Sequence, residues 1–215
     1  MIEFQLSRSG ILFVLSAPSG GGKSTILRRL LEVDRTISYS VSATTREPRR
    51  NEENGKDYYF KSVAEFEKMI AEGAFLEHAK VHGNYYGTPK AEVDRLVRMR
   101  QDVVLDIDVQ GSLALKRARP STVLIFILPP SIATLEKRLR SRGLDDDEVV
   151  RLRLNNAREE IRHAPRYDYA LVNEDLDLTI TRVQQIIEGE RWRTHRLKVF
   201  DALGEVKFLP ATGAV

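Results

Sequence analysis

The sequence predicts an α/β fold of three layers, a parallel core sheet with helices on both faces. Strand-length apolar runs alternate with amphipathic helix patterns. The runs are apolar at almost every position, as strands buried on both faces must be. One polar stretch interrupts the alternation and marks an inserted mixed α+β unit.

Taken in order, residues 11–16 (ILFVLS) form the first buried strand. Residues 23–32 form a helix that turns Ile26, Leu27, Leu30 and Leu31 inward. The stretch 38–90 is rich in Tyr, Arg, Glu, Gly and Asn, and holds one amphipathic helix at 63–72. Buried strands follow at 103–107 (VVLDI) and 122–128 (TVLIFIL), with a weaker one at 169–172. Pro129-Pro130 ends the third strand, and Ser131 caps a helix carrying Ile132, Leu135 and Leu139. Gly143 stops that helix. Asp145-Asp146-Asp147-Glu148 places negative charge at the positive end of the next, whose stripe is Val150, Leu154, Ala157 and Ile161, with Pro165 as its end. A last helix at 176–192 leads into a basic stretch, Arg191, Arg193, Arg196 and Lys198, expected to be a solvated face.

Composition excludes several functions. The chain of 215 residues has no cysteine, so disulfides, thiolate nucleophiles, iron–sulfur clusters and zinc ribbons drop out, and the cytoplasm is the default compartment. The 34 basic and 31 acidic residues leave a net charge of +3 with the signs interleaved. That argues against a nucleic-acid partner and leaves room for a local basic cleft. No apolar run reaches membrane-spanning length, and the opening residues, with Glu3, do not form a signal peptide. A homodimer is left open.

Directly after the first strand stands Ala17-Pro18-Ser19-Gly20-Gly21-Gly22-Lys23-Ser24-Thr25. It follows the phosphate-cradle pattern G-x-x-x-x-G-K-[ST], with Ala17 in place of the first glycine. Backbone N–H groups and a helix N-terminus can cradle phosphates, and Gly20, Gly21 and Gly22 can adopt the positive φ such a loop requires. Lys23 can reach the β- and γ-phosphates, and the Ser24 hydroxyl can ligate Mg²⁺. The motif in this strand–helix context implies ATP binding in a P-loop NTPase-type fold. GTPases carry a base motif N-K-x-D that is missing here, so a small-molecule kinase with an anionic acceptor site fits better.

Further along, Ser40-Val41-Ser42-Ala43-Thr44-Thr45-Arg46-Glu47-Pro48-Arg49 resembles the guanylate kinase signature. So do Asn54-Gly55-Lys56-Asp57-Tyr58-Tyr59-Phe60, Phe75-Leu76-Glu77, Gly83-Asn84-Tyr85-Tyr86-Gly87-Thr88, Leu105-Asp106-Ile107-Asp108-Val109-Gln110-Gly111, Arg166-Tyr167-Asp168-Tyr169 and Val172-Asn173-Glu174-Asp175. The resemblance runs over roughly residues 10–195, and Ala17 is a variant that also occurs in bacterial members. It implies an ATP:GMP phosphotransferase of nucleotide recycling, acting on GMP and dGMP with Mg²⁺. It also implies a core at 10–37 and 91–200 with a helical lid at about 131–160, a GMP-binding subdomain at 38–90 and a C-terminal tail at 197–215.

Residue by residue, guanidinium forks suit a dianionic phosphate, so Arg46 and Arg49 become acceptor-phosphate ligands, with Tyr58 and Tyr86 adding hydroxyls. Guanine offers N1–H and N2–H₂ beside an O6 acceptor. By resemblance Glu77 accepts the donor pair, and Ser42 and Thr88 supply hydroxyls. Asp106 ends a buried strand, and by resemblance it acts near the metal-bound water and phosphates. Asp108, two residues on, points the same way; the resemblance implies that it positions the acceptor site or its arginines, and the alternative is a cap on the following helix. Arg138, Arg142 and Arg153 clamp the transferring phosphoryl group by the same resemblance. Lys23, Arg46, Arg138, Arg142 and Arg153 are thus the expected catalytic set, and Ser24 and Asp106 the metal set.

Two competitors keep parts of this pattern. A sugar-bisphosphate kinase would lose Ser42, Glu77 and Thr88; a guanylate-kinase-like partner-binding module would lose the working Gly22-Lys23-Ser24. His78 and His82 are four apart but lack the glutamate a zinc protease helix needs.

Overall fold

The computed structural model describes residues 4–18, 20–81, 83–141, 146–201 and 204–206. Ser19, His82, Arg142, Gly143 and Asp145 lie outside the described residues. In chain order the elements begin with β1 (Gln5–Arg8), β2 (Leu12–Ser16), α1 (Lys23–Val33) and β3 (Ile37–Tyr39). The next group is β4 (Ala43–Thr44), β5 (Tyr59–Phe60), α2 (Val63–Ala71), β6 (Phe75–Val81) and β7 (Asn84–Pro89). Then come α3 (Lys90–Arg98), β8 (Asp102–Asp106), α4 (Val109–Ala118), β9 (Val123–Leu128), α5 (Ile132–Arg140) and α6 (Asp147–Arg162). The chain closes with β10 (Tyr169–Val172), α7 (Leu176–Arg191), β11 (Leu197–Asp201) and β12 (Gly204–Val206).

The core sheet has the order β10-β9-β2-β8-β3, and every pairing in it is parallel. Alternation along the central strands sends side chains to two different cores. Phe13 and Leu15 of β2 and Ile125 of β9 meet Ile26 and Leu30 of α1 and Ile180 and Val183 of α7. Val14, Leu105 and Phe126 point the other way, against Val93 and Leu96 of α3 and Leu113 and Leu115 of α4. Helices on both faces explain why these strands are apolar throughout: neither side meets water.

Between β3 and α3 the chain builds a separate sheet, β5-β4-β7-β6, mixed in direction. Its small core is Ala43, Phe66 and Phe75, with Phe66 stacked between Phe75 (centroids 4.4 Å apart) and Tyr85 (5.3 Å). Helix α2 starts on a capping box, Ser62 with Glu65, which satisfies two otherwise orphaned N–H groups. Helices α5 and α6 form a third small core of Leu135, Leu139, Val150, Leu154 and Ala157. Helix α6 ends at Arg162, ahead of Pro165, which falls in a 3₁₀ turn at Ala164–Arg166. Among the described residues no helix is long and apolar enough to cross a membrane.

The basic stretch after α7 corrects the expectation of a solvated face. Asp102, at the start of β8, is 1% exposed and accepts from Arg8 at 2.6 and 2.9 Å, from Arg191 Nε at 2.7 Å and from the Ile11 N–H at 2.9 Å. Arg196 likewise bonds Glu190, 2% exposed, which also takes the Tyr169 hydroxyl at 2.7 Å. Only Arg193 and Lys198 remain largely solvated. These pairs dock the antiparallel sheet β1-β11-β12 on the core, so the stretch expected as a tail contains two strands. A local sequence pattern cannot show this, because Arg8 and Arg191 are 94 and 89 residues from the carboxylate they share.

Asp102→Ala strips both guanidinium groups of their buried partner. We expect a loss of about 3–5 kcal/mol in urea unfolding, the usual cost of breaking a buried pair from one side.

Candidate active site

Strand β2 ends at Ser16, whose Oγ donates to the Ile107 carbonyl at 2.9 Å and shares a 2.7 Å hydrogen bond with Ser112 Oγ. The register pairs Leu15 with Asp106, so the carboxyl ends of β2 and β8 lie side by side. The chain then turns through the glycines, with φ of 85° at Gly20 and 96° at Gly22, and enters α1 at Lys23. A Cβ on Gly21 would sit 2.9 Å from both Ala17 Cβ and the Pro18 carbonyl. The alanine that replaces the motif's first glycine is therefore accommodated because position 21 has no side chain. Asn173, beyond β10, braces the loop by donating from Nδ2 to the Gly21 carbonyl at 3.2 Å. In the sequence Asn173 is one member of a motif, with nothing local to mark this role.

Lys23 Nζ lies 2.5 Å from Asp106 Oδ1 and donates to the Ile107 carbonyl at 3.3 Å. Burial pulls its pKa down, but the Asp106 carboxylate outweighs this, and the net shift is upward. The ammonium stays charged where a phosphate would need it.

Two cavities share the Asp106 end of this ion pair. The smaller, about 170 Å³, is bounded by Lys23, Ser42, Glu77, Asp106 and Asp108. Glu77, on β6, is 8% exposed, and its Oε1 accepts from the Thr88 hydroxyl at 2.7 Å. Burial pushes the Glu77 carboxyl up to about 7; the Thr88 hydroxyl works against that, and the Asp108 charge adds to it. A Cβ on Gly111 would stand 2.6 Å from Glu77 Oε2, so the first turn of α4 approaches the carboxylate as closely as only glycine allows. Thr88 is fully buried and borders this pocket through Glu77.

Asp108 corrects part of the sequence argument. The strand stops at Asp106, so strand alternation does not govern Asp108. It is the N-cap of α4, with Oδ1 accepting from the Gly111 N–H at 2.9 Å, and it still borders the smaller pocket.

The larger cleft, about 770 Å³, is lined by Ser24, Thr25, Arg46, Arg49, Tyr58, Tyr86 and Asp106. The Arg46 guanidinium lies 5.4 Å over the Tyr58 ring and pairs with Glu52 at 2.9 Å. Burial also raises the pKa of the Tyr58 hydroxyl, with Asp106 adding to the effect. Tyr39, Glu52 and Lys56 share this cleft; Lys56 falls inside the 54–60 motif, and no sequence signal singles out Tyr39 or Glu52. On the far side of the loop, Gly20, Gly22 and Thr25 share a cavity of about 340 Å³ with Arg138, Asn173 and Glu174. Arg138 Nη2 donates to the Asn173 carbonyl at 3.4 Å. Arg153 is half-buried on α6 and is not among the residues lining these three cavities. Pro18 is buried at the start of the turn, ahead of the loop glycines. His78 lies on strand β6 rather than on a helix.

A glycine-built cradle opening a helix, a charged lysine in it and a second polar pocket across that lysine define a P-loop phosphotransferase with a separate acceptor site. The guanylate kinase family model matches residues 9–190. The chain is 50% identical over 192 residues to the guanylate kinase of Paramagnetospirillum magneticum, spanning 89% of this chain and 90% of that one. It is 47% identical over 182 residues to the guanylate kinase of Rickettsia bellii, spanning 85% and 95%. The crystal structure of guanylate kinase from Anaplasma phagocytophilum superposes with a TM-score of 0.77 at 38% identity, over 90% of this chain and 92% of that one. The chain belongs to the guanylate kinase family, enzymes that phosphorylate GMP to GDP with ATP.

The Glu77 shift has a measurable consequence. Its folded pKa, about 7, lies above the ordinary 4.5, so between those values the folded chain binds more protons than the unfolded one. Stability then falls as pH rises through that window, by about 3 kcal/mol in full. Without nucleotide, Glu77→Gln should be more stable than the parent at pH 8, and the difference should vanish at pH 4 in urea titrations.

Proposed function

We propose that the chain transfers the γ-phosphoryl group of ATP directly to the phosphate of GMP in one in-line step, with dGMP as a second acceptor. The observation that carries this reading is the buried Glu77 carboxylate, facing a pocket that also touches Lys23. A buried carboxylate calls for a ligand with paired donors, and the N1–H and N2–H₂ edge of guanine supplies them. GMP and dGMP share both that edge and the phosphate.

In this reading residues 38–90 hold the acceptor. Glu77 accepts from the guanine donors, Ser42 and Thr88 supply hydroxyls, and Asp108 closes the pocket from the end of α4. Arg46, Arg49, Tyr58 and Tyr86 take the acceptor phosphate in the adjoining cleft. The cradle 17–25 binds the ATP phosphates through its backbone N–H groups and the N-terminus of α1, and Lys23 neutralises charge between the reacting groups. The helices at 131–160 serve as the lid. Arg138, already beside the cradle, reaches the phosphoryl group on closure, and Arg142 and Arg153 are assigned to the same clamp. Excluding water strengthens each of these contacts and protects ATP from hydrolysis. A cytoplasmic site of action goes with this pair of metabolites.

Mg²⁺ fits the oxygen donors present. Ser24 and Asp106 line one cleft, and among the described residues no group of three His, Asp or Glu could cage an ion. Two protein oxygens suit a cation that keeps waters and takes nucleotide oxygens for the rest of its shell. Bound there, the ion would neutralise phosphate charge.

The test is ADP release with ATP and Mg²⁺, offering GMP, dGMP, AMP and UMP separately. Turnover with the guanine nucleotides alone is expected; AMP or UMP turning over as fast would overturn the reading. Glu77→Ala removes two hydrogen bonds to a charged acceptor and should lower kcat/KM for GMP by about 10²–10⁴.

Gly111→Ala gives a second, sharper test. In an ordinary helix this change stabilises by about 0.5–1 kcal/mol. Here the methyl presses on Glu77, so KM for GMP should rise at least about tenfold, for roughly 1.4 kcal/mol of lost binding. KM for ATP should hold.

A further inference from the structure

Glu52 belongs to none of the residue sets assigned above, yet it holds the guanidinium of one arginine expected at the acceptor phosphate and the backbone of the other. Both its oxygens accept from Arg46 Nη2, each at 2.9 Å. Its Oε2 also accepts from the backbone N–H of Arg49 at 2.8 Å. The Arg46 and Glu52 side chains are largely withdrawn from water, 16% and 18% exposed.

The other contacts of Arg46 complete a clamp. Nη1 donates to the Glu47 carbonyl at 2.7 Å, and the guanidinium lies over the rings of Tyr58, at 5.4 Å, and Phe60, at 5.9 Å. A guanidinium has five N–H donors. Glu52 and Glu47 together leave some of them for a ligand, while fixing the plane in which they lie. Arg49 is exposed and is tied to this cluster through its main chain, so Glu52 sets where its side chain starts.

We infer that Glu52 is a positioning residue for the acceptor phosphate: it orients the Arg46 fork and anchors the Arg49 backbone before GMP arrives. This rests on the reading that the Arg46–Arg49 cleft takes that phosphate. The alternative is a carboxylate that merely occupies Arg46 until the substrate displaces it. Three features favour positioning. The contacts close a single turn, residues 46–52. One of them goes to the backbone, which a phosphate would not replace. And the rings of Tyr58 and Phe60 back the guanidinium on its face, which leaves the in-plane direction of the fork to the carboxylate. A preorganised fork binds its ligand without first losing side-chain freedom.

The two roles predict opposite signs. Glu52→Gln keeps an acceptor for the Arg49 N–H but removes the charge and one oxygen facing Arg46. On the full chain, positioning predicts that E52Q raises KM for GMP by about tenfold. KM for ATP should stay within about twofold, and E52D should recover part of the loss. In an Arg46→Ala background E52Q should add less than about twofold, since the residue through which it acts is gone. An unchanged or lowered KM for GMP would overturn the inference, and so would an equal rise in both KM values. If E52Q does not fold, E52D tests reach in place of charge: the shortened carboxylate should still raise KM for GMP, by less than about tenfold, and leave KM for ATP unchanged. The parent reading has its own control. Arg46→Ala leaving KM for GMP unchanged would remove the cleft as the phosphate site and with it the role of Glu52. Where Arg46→Ala does raise that KM, the E52Q result bears on Glu52 alone.

Discussion

A lysine ammonium held 2.5 Å from a carboxylate, at the carboxyl end of two neighbouring parallel strands, is the contact around which the rest of this molecule is arranged. Lys23 begins a helix and Asp106 ends a strand, so the pair exists only where β2 and β8 are adjacent and in the register that sets Leu15 opposite Asp106. Ser16, bonded to Ile107 and Ser112, secures the same junction from behind. Burial by itself would lower the lysine pKa; Asp106 keeps the charge. The loop can thus present a cation, the helix N-terminus and inward N–H groups to one polyanion. Binding at the carboxyl ends of parallel strands follows the general rule for open α/β sheets.

The acceptor pocket solves the opposite problem, a negative charge kept out of water. Glu77 has a hydroxyl from Thr88 on one side, the bare α-carbon of Gly111 on another and the Asp108 charge nearby. Among the described residues its donors come from Thr88 alone. In the proposed reading a ligand that brings two N–H groups adds to these, and a base without them leaves the carboxylate unpaired. Selectivity then comes from the penalty imposed on the wrong base as much as from contacts with the right one. Asp108 serves twice, capping α4 and bordering the pocket, which couples the geometry of a helix start to that of the site.

Much of the site was legible in the sequence because its signals are local. Gly20, Gly21, Gly22 and Lys23 sit together in the chain, between an apolar run and a helical pattern. Ser42, Arg46, Glu77 and Thr88 each fall inside a short, ordered motif. Contact between segments carries no such signal. Glu52 lies among other charged residues and stands out only once its carboxylate is seen on Arg46. Asn173 matters because the turn after β10 comes back to the Gly21 carbonyl, 152 residues away in sequence.

The amino-acid order alone determined the layer plan, the cradle and the motifs from which base and phosphate reading are proposed. Those depend on side-chain period and on motifs that span a few residues. Tertiary structure alone decided which charges are buried. Arg191 and Arg196 look like any basic surface in the sequence, and they became inner partners only because Asp102 and Glu190 were drawn under the β1-β11-β12 sheet. The physical reason is that desolvation belongs to a place in the fold. A carboxylate carries no mark in the chain of whether water will reach it, and only the packing of distant strands settles that.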